Sequence, residues 1–366
     1  MDVKVLNEWF ETTHIIDSYE SLVWTERFYE CGDFELRMAM SSELLDIFKI
    51  GNYLELDESK CTMIIEKILI ESNAEEGNTI TISGRSFESV LDRRIVWGFK
   101  NVNTDMLHLM EELFDENIVQ PSDDSRVIPS LFYDQRPWDT RLLDIEVEKQ
   151  ITGESMYDLI SSLCQQHSIG FEIVRDKYSG VFDFKCFYGV DRSYGSTEAE
   201  PVVFSPEFDN LENSNYLTDS KPYKTATLIG GEGDGSEQRF YGITDGSEGL
   251  ERREIYTDAH NISSEDDGRT LTDEEYNALL MEEGIRNLVD NCNVETAFDG
   301  EADIDIREVY GRSLNIGDIV EIADAYGNHT KVRIVEVIFS DEASGFRVYP
   351  SFKSIDSERE EYQPTD

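Results

Sequence analysis

The sequence is short of positive charge. Its 366 residues include 32 Lys and Arg against 78 Asp and Glu, a formal net charge of -46. A surface that grips nucleic-acid phosphates needs clustered Lys and Arg, so specific nucleic-acid binding is excluded. Anionic membranes are equally unfavourable partners. Cysteine is scarce as well. The five cysteines, Cys31, Cys61, Cys164, Cys186 and Cys292, are odd in number, widely spaced and without a CxxC pair. That spacing argues against a structural zinc site and fits free thiols in a reducing cytoplasm. The five histidines, His14, His108, His167, His260 and His329, contain no HExxH pair. No apolar run approaches a transmembrane span, and none follows Met1-Asp2-Val3-Lys4 to form a signal peptide. A soluble chain without a membrane segment, made in a cytoplasm, is expected.

What is present is enough for packed cores. The hydrophobic content is 39%, with 19 Phe and 17 Tyr, a composition that argues against disorder. The length predicts two or three domains. Apolar residues alternate from Val3 to Phe10, and two strands fill Ser21 to Met40 around a turn at Gly32. A short helix is predicted over Leu44 to Phe48. Strands follow at Tyr53 to Leu56, Met63 to Ile70 and Thr79 to Ile82, then a short helix at Phe87 to Arg94. Helical spacing over Asp105 to Phe114 predicts a helix capped by Asn103 or Thr104. Pro121 to Pro137 reads as loop. A second helix, Glu154 to His167, is expected to stop at Gly170, before a hairpin of Phe171 to Val174 with Val181 to Tyr188. Thr225 to Ile229 reads as a buried strand with Phe240 to Ile243 pairing back. Thr272 and Glu275 form a capping box that opens the best helix, which Gly284 is expected to weaken or bend.

One plan occurs twice. Gly51-Asn52-Tyr53-Leu54-Glu55-Leu56 matches Gly317-Asp318-Ile319-Val320-Glu321-Ile322. Each leads through a polar turn into a long β-branched strand, Ile64 to Ile68 or Val335 to Ile338. Each strand reaches an acidic turn that ends at Gly77 or Gly345, and an alternating strand closes the set, Thr79 to Ile82 or Phe346 to Tyr349. The repeat predicts two related small β-barrels in one chain.

Several spacings imitate chemistry. Cys164 and His167 lie one helical turn apart, but a nucleophile or metal site needs further partners. Ser263, Glu265, Asp267, Gly268 and Glu274 follow part of a calcium loop. Its first position is Ser, however, and no entering helix precedes it, so a solvated acidic loop is expected. Gly230 to Gly235 lacks the Lys-Ser or Lys-Thr of a phosphate cradle, and Glu232 and Asp234 repel phosphate. Asp303 and Asp305 share a strand face, a carboxylate pair that defaults to a wet surface. No catalytic, cofactor-binding or metal-ligating residue is assigned, and no cofactor is expected.

Trp24-Thr25-Glu26-Arg27-Phe28-Tyr29 followed by Cys31-Gly32-Asp33-Phe34-Glu35-Leu36 resembles the start of siphophage tail-hub proteins. The resemblance continues through Met63 to Ile68, Ile80 to Gly84, Arg93 to Trp97, the Gly230 to Gly233 turn and the closing Gly317 to Phe352 segment. It implies an α+β, β-dominated fold: two small tube-like β-barrel domains with an inserted α+β domain and a helical insertion. The expected boundaries are 1–100 for the first barrel, 101–222 for the middle domain, 223–356 for the second barrel with a helical insertion about 250–312, and an acidic tail 357–366, read as frayed. The resemblance also implies a homotrimer at the virion tail tip, made in the host cytoplasm. Its implied partners are the distal tail protein, the tape measure protein and tail-tip or receptor-binding proteins. The chain is expected to lack the lytic or host-binding extension that some members carry. The acidic charge fits solubility, a high-salt habitat or a channel wall that lets DNA slide. A tail-tip cell-wall hydrolase and a glycan-binding module are the alternative readings.

Overall fold

The structure is a computed structural model. It describes every residue except 74–76, 134–139, 209, 212, 234, 267–268, 293–294, 302–309, 324–328, 344, 356–362 and 365–366. The N-terminal region runs β1 (Val3–Leu6), β2 (Thr12–Ile16), β3 (Ser21–Arg27), β4 (Asp33–Ala39), α1 (Leu44–Ile47), β5 (Tyr53–Glu55), β6 (Thr62–Asn73) and β7 (Gly77–Ser86). Strand β4 shows why these segments are strands. Phe34, Leu36 and Met38 are buried while Glu35, Arg37 and Ala39 are exposed, the alternation of a half-buried pleat.

The middle region contains β8 (Phe99–Asp105), α2 (Met106–Phe114), β9 (Leu131–Tyr133), β10 (Glu146–Thr152), α3 (Met156–Gln166), β11 (Gly170–Arg175) and β12 (Phe182–Phe187). Strands β8 and β10 form an antiparallel ribbon, and β11, β12 and β9 a small sheet. Both helices pack their apolar faces into one cluster with Phe171, Phe182 and Phe184. Here the sequence expectations need correction. Asn103 and Thr104 lie inside β8, paired with Glu148 and Val147, so Asp105 caps α2 instead. Pro121 to Pro137 is not all loop, since β9 pairs in parallel with β12. Gly170 opens β11 rather than ending α3, and a Cβ there would lie 2.3 Å from the Phe28 ring.

The rest runs β13 (Val203–Phe204), β14 (Asn213–Asp219), β15 (Ala226–Gly230), β16 (Phe240–Thr244), β17 (Glu254–Asp258), β18 (Glu265–Asp266), β19 (Arg269–Thr270), α4 (Asp273–Asn291), β20 (Glu295–Glu301), β21 (Ile319–Ala323), β22 (His329–Glu342), β23 (Gly345–Ser354) and β24 (Gln363–Pro364). The capping box at Thr272 and Glu275 is present. Helix α4 runs on through Gly284, which lets it sit on β15, where a Cβ would lie 2.6 Å from Ile229. Of the acidic tail, Gln363 and Pro364 are described, and they pair with Thr244 and Ile243.

The fold is β-dominated α+β, and the two ends of the chain meet in a single 13-stranded sheet. Its order is β14-β20-β23-β22-β3-β4-β7-β6-β5-β1-β2, with β21 on β22 and β13 on β21. Among the described residues no sheet closes on itself. The two expected barrels stand as open halves of one sheet over one core, which unites Trp24, Phe34, Ile65 and Ile82 with Phe204, Ile334, Phe339 and Phe352. Each large side chain buried there stabilises by about 1.5–3 kcal/mol.

Candidate functional site

The repeat is visible in the backbone. The first copy orders its strands β3-β4-β7-β6-β5, the second β14-β20-β23-β22-β21. Both turn into the meander through a glycine at φ +88°, Gly51 and Gly317, a conformation open to glycine at little cost. Gly51 N donates to Ile65 O at 2.8 Å and Ile65 N to Asn52 O at 2.9 Å. Gly317 N donates to Ile334 O at 2.8 Å and Ile334 N to Asp318 O at 2.9 Å. Both long hairpins then carry a register shift at the same place, between Ile65 and Lys67 and between Ile334 and Glu336. Each is a β-bulge that leaves one extra residue on the long strand.

The copies join where β22 meets β3, from Glu336 opposite Arg27 to Asp341 opposite Leu22. Arg27 donates to Glu336 at 2.6 Å and to Asp33 at 2.7 Å. Phe28 N donates to Val335 O at 2.9 Å, and the buried Phe28 ring lies against Gly170 and Gly317. The second copy also grips the middle region. Asp318, 1% exposed, accepts Arg192 Nε at 2.7 Å, Val190 N at 2.9 Å and Asn315 N at 3.0 Å.

A cavity of about 420 Å³ opens at this junction, lined in part by Glu26, Glu88, Cys61, Phe171, Lys185 and Tyr310. Glu26 is buried; Ser59 and Tyr310 hydroxyls donate to it, each at 2.5 Å. Burial raises its pKa, although both hydrogen bonds act the other way. Burial likewise raises Glu88, whose Oε1 accepts Ile173 N at 2.8 Å. Burial and the nearby Glu26 push the Cys61 thiol well up. The two buried acids therefore hold strands and loops together, and the thiol beside them is a poor nucleophile.

The sequence-flagged residues disperse. Cys164 is buried beside Cys186, with its pKa pushed well up by burial. His167, one turn away, is lowered to about 4 by burial. His108 is bound to Asp105 at 2.7 Å, which raises its pKa. His260 contacts Asp258, His14 contacts Thr13, and His329 starts β22. Ser263 is tied to Gln150: its N donates to Oε1 and its O accepts from Nε2, both at 2.9 Å. Asp267 and Gly268 of that loop lie outside the described residues, as do Asp303 and Asp305. The Gly230 to Gly233 turn is tight packing, since a Cβ on Gly230 would lie 1.9 Å from the Tyr256 hydroxyl and one on Gly231 2.4 Å from that of Tyr276. Among the described residues no group of His, Cys, Asp and Glu could hold a metal ion, and no helix is long and apolar enough to cross a membrane. Sequence reasoning missed Glu26, Glu88 and the Arg192–Asp318 pair. The one available signal was an acid inside an apolar strand, Glu26 after Leu22-Val23-Trp24.

A family model described as Siphovirus ReqiPepy6 Gp37-like protein matches residues 2–352. The chain belongs to this family. The resemblance to siphophage tail-hub proteins is thereby borne out, and the chain is a structural phage tail protein. Solved structures share its fold across almost the whole chain. The prophage MuSo2 43 kDa tail protein from Shewanella oneidensis is 16% identical with TM-score 0.58, covering 98% of this chain and 100% of its own. The tail protein from Neisseria meningitidis MC58 is 13% identical with TM-score 0.56, covering 98% of each. The prophage tail protein gp18 from Listeria monocytogenes EGD-e is 12% identical with TM-score 0.52, covering 98% and 96%. No curated protein matches this tail protein.

Proposed function

We propose that this tail protein is a homotrimeric hub at the virion tail tip, forming a ring that continues the tail tube and lets DNA pass. The carrying observation is the doubled meander: two copies with one strand order in one continuous sheet. A three-fold ring of such chains presents six similar positions, which reconciles a three-fold tip with a six-fold tube. In this reading residues 1–100 and 223–356, the latter joined by β14 (Asn213–Asp219), supply the tube-like units, and barrel closure is a property of the ring. The rest of residues 101–222 and the α4 helix of the 250–312 region brace it from outside, while β14 and β20 from those spans stay in the ring sheet, with 357–366 as a tail. The core covers one face of the sheet, so the opposite face lines the channel, with Glu35, Arg37, Thr79 and Thr81 on it. Threonines and mixed charge give DNA little to hold. The partners in this reading are the distal tail protein, the tape measure protein and tail-tip or receptor-binding proteins. The chain is made in the host cytoplasm, needs no cofactor and is not an enzyme.

The test is mass in solution by light scattering, followed by imaging. The expected result is three 42.0-kDa chains around a central channel. A closed dimer, or a compact trimer with no opening, would overturn the reading.

A further inference from the structure

Within one chain, the second copy's long strand finishes by pairing its outer edge with the first copy's β3. Strand β22 uses its first residues, Ile319's partner Arg333 among them, for β21, and its last, Glu336 to Asp341, for β3. The first copy's long strand β6 does the equivalent of the first half only. Its start pairs with β5, and among the described residues no strand pairs with Lys67 to Ser72 on the side away from β7. That stretch carries Leu69 at 41% and Ile70 at 44% exposure. An exposed apolar strand edge invites another strand and is a hazard if left open. At the far end of the sheet, β14, the counterpart of β3, likewise has only one described strand neighbour, β20.

The registers translate directly. Trp24 pairs with Phe34, and Phe34 with Gly84, beside Ile65. Tyr216 pairs with Phe298, and Phe298 with Phe352, beside Ile334. Tyr216 thus stands where Trp24 stands, and Asp219 where Arg27 stands. Lys67 stands where Glu336 stands, and Ile70 where Phe339 stands.

We infer that Lys67–Ser72 of one copy pairs antiparallel with Ser214–Asp219 of a second copy of this chain, in the register that joins β22 to β3. The inference rests on the ring reading and gives it a specific contact. That register sets Lys67 opposite Asp219, Leu69 opposite Leu217 and Ile70 opposite Tyr216. In-chain, Glu336 meets Arg27; between copies the same position carries the opposite charges, base on the long strand and acid on the short one. The next paired positions, Leu69 with Leu217 and Ile70 with Tyr216, are apolar in sequence on both strands. Pairing of two different edges is heterologous, so successive copies add in one direction, and the ring reading has them close after three.

The experiment is disulfide trapping in the full chain. Leu69→Cys with Leu217→Cys, oxidised in solution, is expected to give covalent multimers on a non-reducing gel that disappear with reductant. The wild type, with its own cysteines, should give none. Leu69→Cys with Asn215→Cys, two residues out of register, should trap at least tenfold less. Lys67→Glu should abolish assembly by light scattering, and Lys67→Glu with Asp219→Lys should restore it. Equal trapping in and out of register, in protein that light scattering shows to be trimeric, would overturn this pairing and leave the ring standing. Self-trapping of the Leu69→Cys variant alone would replace it with a two-fold contact. A monomer at every concentration would overturn the ring and the pairing together.

Discussion

The two copies of the meander hold the same backbone and have diverged in what surrounds it. The first carries Asn52 after its glycine, half-buried; the second carries Asp318, buried and bound to Arg192. The first exposes Ile70, while Phe339 at the equivalent place is 2% exposed under β3. The first needs Gly84, where a Cβ would lie 1.8 Å from Ile64 O, and the second fills that place with the buried Phe352. What both retain are the left-handed glycine, the paired backbone hydrogen bonds and the bulge. The hydrogen-bond frame is the shared inheritance, and the side chains record which edge of each copy is already covered.

The sharpest test of that contrast sets Phe339→Ala against Ile70→Ala. The first should lose about 3–5 kcal/mol of stability in urea titration, because it empties a filled core position. The second should stay within about 0.5 kcal/mol as a monomer, because it removes an exposed side chain. Equal losses would break the comparison. Next in size is Asp318→Ala, expected to cost about 3–5 kcal/mol by stranding Arg192 near the core. Asn52→Ala in the first copy should cost under about 1 kcal/mol in the same titration.

A pH test follows from Glu26, which has Thr218 as its counterpart. Burial raises the folded pKa of Glu26 above its unfolded value. The folded state then binds more protons above the unfolded pKa, so stability falls as pH rises from about 4.5 through the folded value. Glu26→Gln should flatten that fall, read as the difference in melting temperature between pH 5 and pH 8. An unchanged slope would show that Glu26 is solvated. The smallest effect belongs to Glu336→Gln. Its pair with Arg27 is partly exposed, so about 0–1 kcal/mol is expected, shrinking further in high salt.

How much was legible depended on where the deciding partner lay. Strands such as β4 alternate within themselves, so their pattern alone reveals them. Strand β14, Asn-Ser-Asn-Tyr-Leu-Thr-Asp, has no such alternation and is strand because β20 pairs with it. The helix cap was misplaced because β10, far along the chain, draws Asn103 and Thr104 into a strand. Gly170 and Gly284 read as stops or weak points because their local cost is written in the sequence. Their use, letting Phe28 or Ile229 approach, belongs to the tertiary structure. The doubled glycine–strand–turn plan was legible because it lies in contiguous residues. The junction was not, because Glu26 meets Tyr310 and Arg27 meets Glu336 across most of the chain.

The bulge after Ile65 and Ile334 works as a points switch on a railway line. Up to that residue each long strand runs alongside its own short strand; beyond Ile334 the same edge passes to β3, and beyond Ile65 it has no strand neighbour among the described residues. In β22 one inserted residue thus divides a single edge between two clients. Removing it would leave every local strand intact and send all the traffic beyond to the wrong face of the sheet.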